Sequence, residues 1–277
     1  MKLQLGKPDV IFDPLEDFIS ALTVAGASES TVKLYRTAVS DFLSFVKKDP
    51  RQVTVADLNR WVADIMQREG RKPLPEFEKR RAKSATARLY ITAVLRFLRW
   101  LGLDIKPSMP KVKRREIKAL SDEEVERLLA AAKGKYKLII SLLLDTGLRA
   151  KELLSLRKED VDLQRRMIFV RNTKNGEERV VFFTESTAKL LRKHLEELEG
   201  DKLFDISYFA LYRGLKRLGK KLGIDLRPHV LRHTFATRAI RKGMPLPAVQ
   251  KLLGHKDIRT TQIYTHLMTE DLKRIYD

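Results

Sequence analysis

The segment "RPHVLRH" sets His229, Arg232 and His233 close together behind a proline. Pro228 suits the first turn of a helix, and residues three apart on a helix share a face, so His229 and Arg232 project together. Near a helix N-terminus the backbone N–H groups and the helix dipole favour an anion. A His and an Arg placed there suit a phosphodiester. His229 and His233 are also four apart, the spacing of a zinc pair. No Glu stands at position 230 to make H-E-x-x-H and the chain has no Cys, so a metal site is disfavoured.

Three more stretches carry candidate chemistry. In "DTGLRAKELLSL", Arg149 follows Gly147 in the break between two helical patterns. A guanidinium flanked by apolar segments is partly buried and needs an anion: Glu152, Asp145 or a phosphate. Lys174 adjoins the Asn175-Gly176 turn, where a lysine is ordinarily just an exposed hairpin residue. His255 and Tyr264 lie nine residues apart in "LLGHKDIRTTQIYTHL". On one continuous helix they would point to opposite sides. Gly254 reads as a residue just past a helix end and Asp257 as an N-cap, so a second helix can fold back and bring Tyr264 toward His255. Taken alone, Tyr264 with Ile263 and Leu267 reads first as a packing residue.

The surroundings favour an anionic partner. Among 277 residues, 56 Lys and Arg face 36 Asp and Glu, a formal charge of +20. Such an excess fits nucleic acid, with a merely solvated basic surface as the plain alternative. The absence of Cys excludes disulfides and thiolate catalysis. The first residues do not follow the pattern of a signal peptide, and the longest apolar run, "LIISLLL", is too short to span a bilayer. A cytoplasmic protein with no membrane association is expected.

Elements must hold these residues in place. Helical periodicity predicts about four helices in the first part: near 14–25, in "STVKLYRTAVSDFLSFV" with Ser30 as N-cap, in "TVADLNRWVADIMQREG" from Thr54 to Gly70, and over 83–102. In the last of these, Leu89, Ala93, Phe97 and Trp100 form the apolar stripe. The stretch 104–120 holds two prolines and a dense basic run, and reads as a tether or a strap along a phosphate backbone. After it, Ser121 and Glu124 form a capping-box pattern, and an apolar helix runs to Gly147. The period then changes to two, where "MIFVRN" and "ERVVFF" flank Asn175-Gly176, a hairpin signal. Helices return near 185–199, 207–222, 229–242 and 245–253, then two short ones near 257–265 and 269–276. The expected fold is mainly α with a small antiparallel β-sheet. It divides into an N-terminal helical domain (1–106), a basic linker (107–118) and an α+β C-terminal domain (119–277).

"TGLRAKELLSL", a Lys in a β-hairpin, "HVLRHTFAT" and "LLGHKDIRTTQIYTH" occur in this order and spacing in the tyrosine recombinases. The chain resembles that family and, within it, the Xer group in its archaeal form. The likeness is strong over 119–277, and the helical first part fits it. Each motif alone is weak; all of them in order are specific. The resemblance implies a C-shaped clamp of a core-binding domain and a catalytic domain on double-stranded DNA. Residue by residue, Arg149 and Arg232 match the family's two phosphate-clamping arginines. His229 matches the first His of His-x-x-Arg, His255 the second His or Trp position, Lys174 the hairpin lysine, and Tyr264 the nucleophile. One departure is the hairpin itself, which reads "TKNGEE" where Xer proteins have Gly-Lys-Gly.

The implied reaction is site-specific recombination through a 3′-phosphotyrosyl link, with no metal, ATP or other cofactor. A phenol of ordinary pKa, about 10, needs a neighbour to take its proton, and the family assigns that to His229. The resemblance further implies a homotetramer acting on two DNA sites, a chromosomal dif-like target for resolving chromosome dimers, and a DNA translocase as a conceivable partner. The segment 269–277 reads as a helix that docks on a neighbour or on its own domain. Alternatives are a mobile-element integrase, a nicking-closing activity like that of type IB topoisomerases, and a non-catalytic DNA-binding regulator.

Overall fold

A computed structural model of the chain describes residues 4–6, 10–68, 76–111, 118–171 and 178–254, with backbone only at 76–79 and 81. The chain divides into two compact units, residues 1–115 and 116–277. No helix among the described residues is long and apolar enough to cross a membrane.

The first unit is helical. Helix α1 spans Pro14–Val24, α2 Glu29–Val46, α3 Val55–Gln67 and α4 Glu76–Trp100, with a 3-10 turn at Pro50–Gln52. Asp13 caps α1 by accepting from Leu15 and Glu16 N–H, with Pro14 in the first turn. Thr54 and Asp57 close a capping box on α3. The core mixes aliphatic residues with several large aromatics. Phe18, Phe42, Trp61 and Phe97 are fully buried, and the Phe42 and Trp61 rings meet edge to face at 5.0 Å. Burying each Phe stabilises the unit by about 1.5–3 kcal/mol. The Trp61 indole N–H donates to Asp41 at 2.8 Å, so its polar edge is satisfied.

Three local expectations change here. Ser28 rather than Ser30 caps α2, its hydroxyl accepting from Thr31 N–H. Both serines precede the apolar stripe, and periodicity does not separate cap candidates two residues apart. Helix α4 begins at Glu76, earlier than the apolar pattern over 83–102, because "EFEKRRAK" is made of good helix formers with few apolar side chains. Leu89 is exposed, while Ala87, Ile91, Val94 and Leu98 are buried beside Ala93, Phe97 and Trp100. The buried stripe passes through Ala87, which the count from Leu89 skipped. After α4, residues 103–111 have no regular structure. The start of the basic stretch is nevertheless held on the bundle: Ser108 N–H donates to Asn59 and Arg88 to the Pro110 carbonyl.

The second unit wraps around one apolar helix. Its elements are α5 (Asp122–Ala131), α6 (Gly134–Thr146), α7 (Ala150–Ser155), β1 (Val161–Asp162), β2 (Met167–Val170), β3 (Arg179–Phe182), α8 (Glu185–Glu196), α9 (Tyr208–Leu222), α10 (Pro228–Arg241) and α11 (Leu246–Leu253). The capping box of Ser121 and Glu124 starts α5. Helix α6 is buried on nearly every side from Leu138 to Leu144, with α5, α8, α10 and β3 around it. The strands form an antiparallel sheet in the order β1-β2-β3. Ile168 and Val181 pair on its inner face. The two-residue β1 is too short to leave a period in the sequence.

Gly147 ends α6 in the left-handed conformation, φ 62°. A Cβ there would stand 2.3 Å from the Phe235 ring of α10 and 2.9 Å from Leu253 of α11. Both backbone handedness and space therefore require glycine where α6 turns into α7. Gly147→Ala is expected to lower the unfolding free energy by about 2–4 kcal/mol, combining the left-handed penalty with overpacking. Urea denaturation of the purified protein measures it.

Candidate active site

Three helix ends and one strand meet around a carboxylate. Glu152, in the first turn of α7, is 3% exposed. Its Oε2 accepts the Arg149 backbone N–H at 2.8 Å, and its Oε1 accepts Arg149 Nη1 at 2.8 Å. Arg179, the first residue of β3, donates Nη1 to Oε1 at 3.1 Å and Nη2 to Oε2 at 2.7 Å. Arg232 Nη1 stands 4.0 Å from Oε2. A planar guanidinium matches the two oxygens of a carboxylate, so the fork from Arg179 fixes the Glu152 plane.

The same three arginines receive the end of α11. A helix leaves its last carbonyls without intrahelical donors. The Gly254 N–H, in a left-handed cap, takes those of Gln250 and Lys251. Leu252 accepts from Arg179 Nε at 2.7 Å, Leu253 from Arg232 Nη2 at 2.6 Å, and Gly254 from Arg149 Nη2 at 3.2 Å. Arg232 also donates to the Gly147 carbonyl at 2.6 Å, which ties α10 to the end of α6. The negative pole of a helix and one carboxylate thus face three cations.

The balance of charge stays positive. Burial is the largest influence on Glu152 and pushes its pKa up. Hydrogen bonds from Arg179 and Arg149 and the Arg179 charge outweigh it, and the net shift is downward. Glu152 therefore stays ionised, a single negative charge among three positive ones. Arg149 is the most open of the three, with a side chain 30% exposed against 7% for Arg179 and 8% for Arg232. A guanidinium carries five N–H donors. Among the described residues Arg149 commits two, to Glu152 and Gly254, and can turn others toward an incoming anion.

His229 stands in the first turn of α10, one turn before Arg232. Its residue surface is open to solvent, yet the protein beside the ring still desolvates it. That desolvation, followed by the charges of Arg232, Arg227 and Arg149, lowers the imidazole pKa below its ordinary 6.5. The neutral ring, with one nitrogen able to accept a proton, is the favoured form.

Arg149, His229 and Arg232 are thus brought together. Lys174, His255 and Tyr264 lie outside the described residues, as do the expected helices near 257–265 and 269–276. Of the carboxylates considered for Arg149, Glu152 is its partner. Asp145 instead accepts from the Thr184 and Thr187 hydroxyls at the start of α8. Arg179 was missed. Strand parity is the signal that finds it, since it alternates inward with the buried Val181 and Phe183.

Residues 118–271 match the model of the phage integrase family, and residues 15–73 the phage integrase N-terminal SAM-like domain. The chain belongs to the phage integrase family of tyrosine recombinases. It is an enzyme of site-specific DNA recombination. It is 58% identical to tyrosine recombinase XerA of Saccharolobus solfataricus, covering 100% of this chain and 96% of that protein. Identity to XerA of Thermococcus kodakarensis is 33%, over 94% and 93% of the two chains. The crystal structure of a XerA recombinase superposes with TM-score 0.53 at 34% identity, covering 95% of this chain and 97% of that one. A lambda integrase dimer bound to a core site shares the fold, with TM-score 0.72 at 18% identity over 91% and 93% of the chains.

The depressed imidazole pKa in the recombinase has a direct test. In the DNA-free protein, NMR titration of His229 should give a midpoint below 6.5. Replacing Arg227 with Gln should move that midpoint upward, because a neighbouring positive charge opposes protonation. A midpoint at or above the ordinary imidazole value would contradict this account.

Proposed function

We propose that the recombinase cleaves and rejoins DNA through a 3′-phosphotyrosyl intermediate formed by Tyr264. Arg149, Lys174, His229, Arg232 and His255 would complete the site. The observation that carries this reading is the surplus positive charge at the Arg149–Glu152–Arg232 cluster, set beside a neutral imidazole. Such a pocket suits a phosphodiester whose charge grows during attack.

In the forward step the Tyr264 oxygen attacks the scissile phosphorus and His229 accepts the phenolic proton. Arg149 and Arg232 donate to the non-bridging oxygens as they gain charge. The bond to the sugar 5′-oxygen breaks, and Lys174 supplies the proton that makes the leaving group a hydroxyl. His255, which directly follows the Arg149-bound Gly254, hydrogen-bonds the phosphate. The covalent ester conserves the phosphodiester for attack by a partner strand's 5′-hydroxyl, so no cofactor enters the chemistry.

The reading extends to a tetramer on two DNA sites, in the cytoplasm, at a chromosomal dif-like sequence where chromosome dimers are resolved. The full-length likeness to XerA supports that target over a mobile-element end. Affinity for DNA of an excess-cation protein should fall steeply with salt.

A suicide substrate carrying a nick beside the cleavage position tests the chemistry. Wild-type protein should accumulate a covalent adduct, and Tyr264→Phe should form none. An adduct in the phenylalanine variant would overturn the assignment. Recovery of bound genomic fragments should yield one chromosomal palindromic site; scattered sites at element boundaries would overturn the chromosomal role.

A further inference from the structure

The interactions of Arg179 reach beyond the strand that carries it. Its side chain is 7% exposed, and burying a guanidinium is costly unless it is fully paired. For packing alone an aliphatic residue would serve at this inward position. Among the described residues its side-chain hydrogen bonds all lead away from β3, two to Glu152 and one to the Leu252 carbonyl. Glu152 in turn holds the Arg149 guanidinium. Leu252 is two residues before Gly254, and a Cβ on Gly254 would come within 3.1 Å of Arg179 Nη1. The guanidinium therefore lies directly beneath the glycine turn that precedes His255. Arg179 also begins the strand that follows the Lys174 hairpin.

We infer that Arg179 is a positioning residue for recombination, joining the Arg149 clamp, the Gly254 end of α11 and strand β3 into one frame. It acts by fixing the Glu152 carboxylate and the end of α11, and its planar fork with a third donor at Nε is what the task needs. A lysine keeps the charge and loses this geometry.

This role rests on the proposed site, so the experiment separates the two. Single-turnover adduct formation on a nicked suicide substrate is measured at saturating DNA, together with DNA binding by titration and a thermal melt. Folded Arg179→Lys should bind DNA within about threefold of wild type, since a buried residue adds little to phosphate affinity. Its adduct formation should be slower by about 100-fold, the loss that follows a small misplacement of reacting groups. Where Arg179→Lys does not stay folded, Arg179→Ala is assayed with ethylguanidinium added. Return of adduct formation supports the role, and none overturns it. A folded Arg179→Lys that forms adduct at the wild-type rate, with Tyr264→Phe inactive, overturns the role of Arg179 alone. An adduct that survives Tyr264→Phe overturns the site reading instead.

Discussion

One buried carboxylate organises the catalytic unit. Glu152 receives Arg149 and Arg179 directly and stands within 4.0 Å of Arg232. Without it, three guanidiniums, two of them buried, would repel one another at close range. With it, each has an anionic neighbour and a carbonyl at the end of α11. Taking ions out of water costs several kcal/mol each, and only hydrogen-bond geometry of this quality offsets that. The cost is consistent with a working site: the cluster keeps a net positive charge that a phosphate can neutralise.

The rest of the unit supplies the backbone ends that this cluster needs. Helix α6 is apolar enough to be buried from Leu138 to Leu144, so its C-terminal part is fixed in depth. Gly147 then lets the chain turn against Phe235 and Leu253 without a side chain in the way. That turn puts Arg149 at the start of α7, where Glu152 can reach back to its N–H. Helix α10 begins on Pro228 and brings His229 and Arg232 to the same place. Helix α11 ends on Gly254, with its last carbonyls aimed at the arginines. Each element is set by local chemistry, a proline, a glycine or a cap, and the cluster forms where their ends converge.

Much of this arrangement was legible along the chain. The His-x-x-Arg spacing behind Pro228, the glycine before Arg149 and the glycine before His255 each follow from rules about helix ends. The period-two stretches around Asn175-Gly176 announced the hairpin strands. Less legible were features without an apolar signal. The start of α4 at Glu76 is polar, and β1 is only two residues long. The choice between Ser28 and Ser30 is a shift of two residues in where the helix starts.

By itself the sequence determined which residue types could meet a phosphate, in what order they come, and that they belong to a tyrosine recombinase. Only the tertiary structure decided how the charges are paired. Glu152 rather than Asp145 holds Arg149, because the end of α6 carries Asp145 toward the Thr184 and Thr187 hydroxyls. Arg179 joins the site from a strand that the sequence marks only as half of a hairpin. Ion pairs between residues 27 positions apart, and bonds to backbone carbonyls 73 positions away, leave no periodicity. They arise from packing, which brings charged groups to a common depth where each must find a partner.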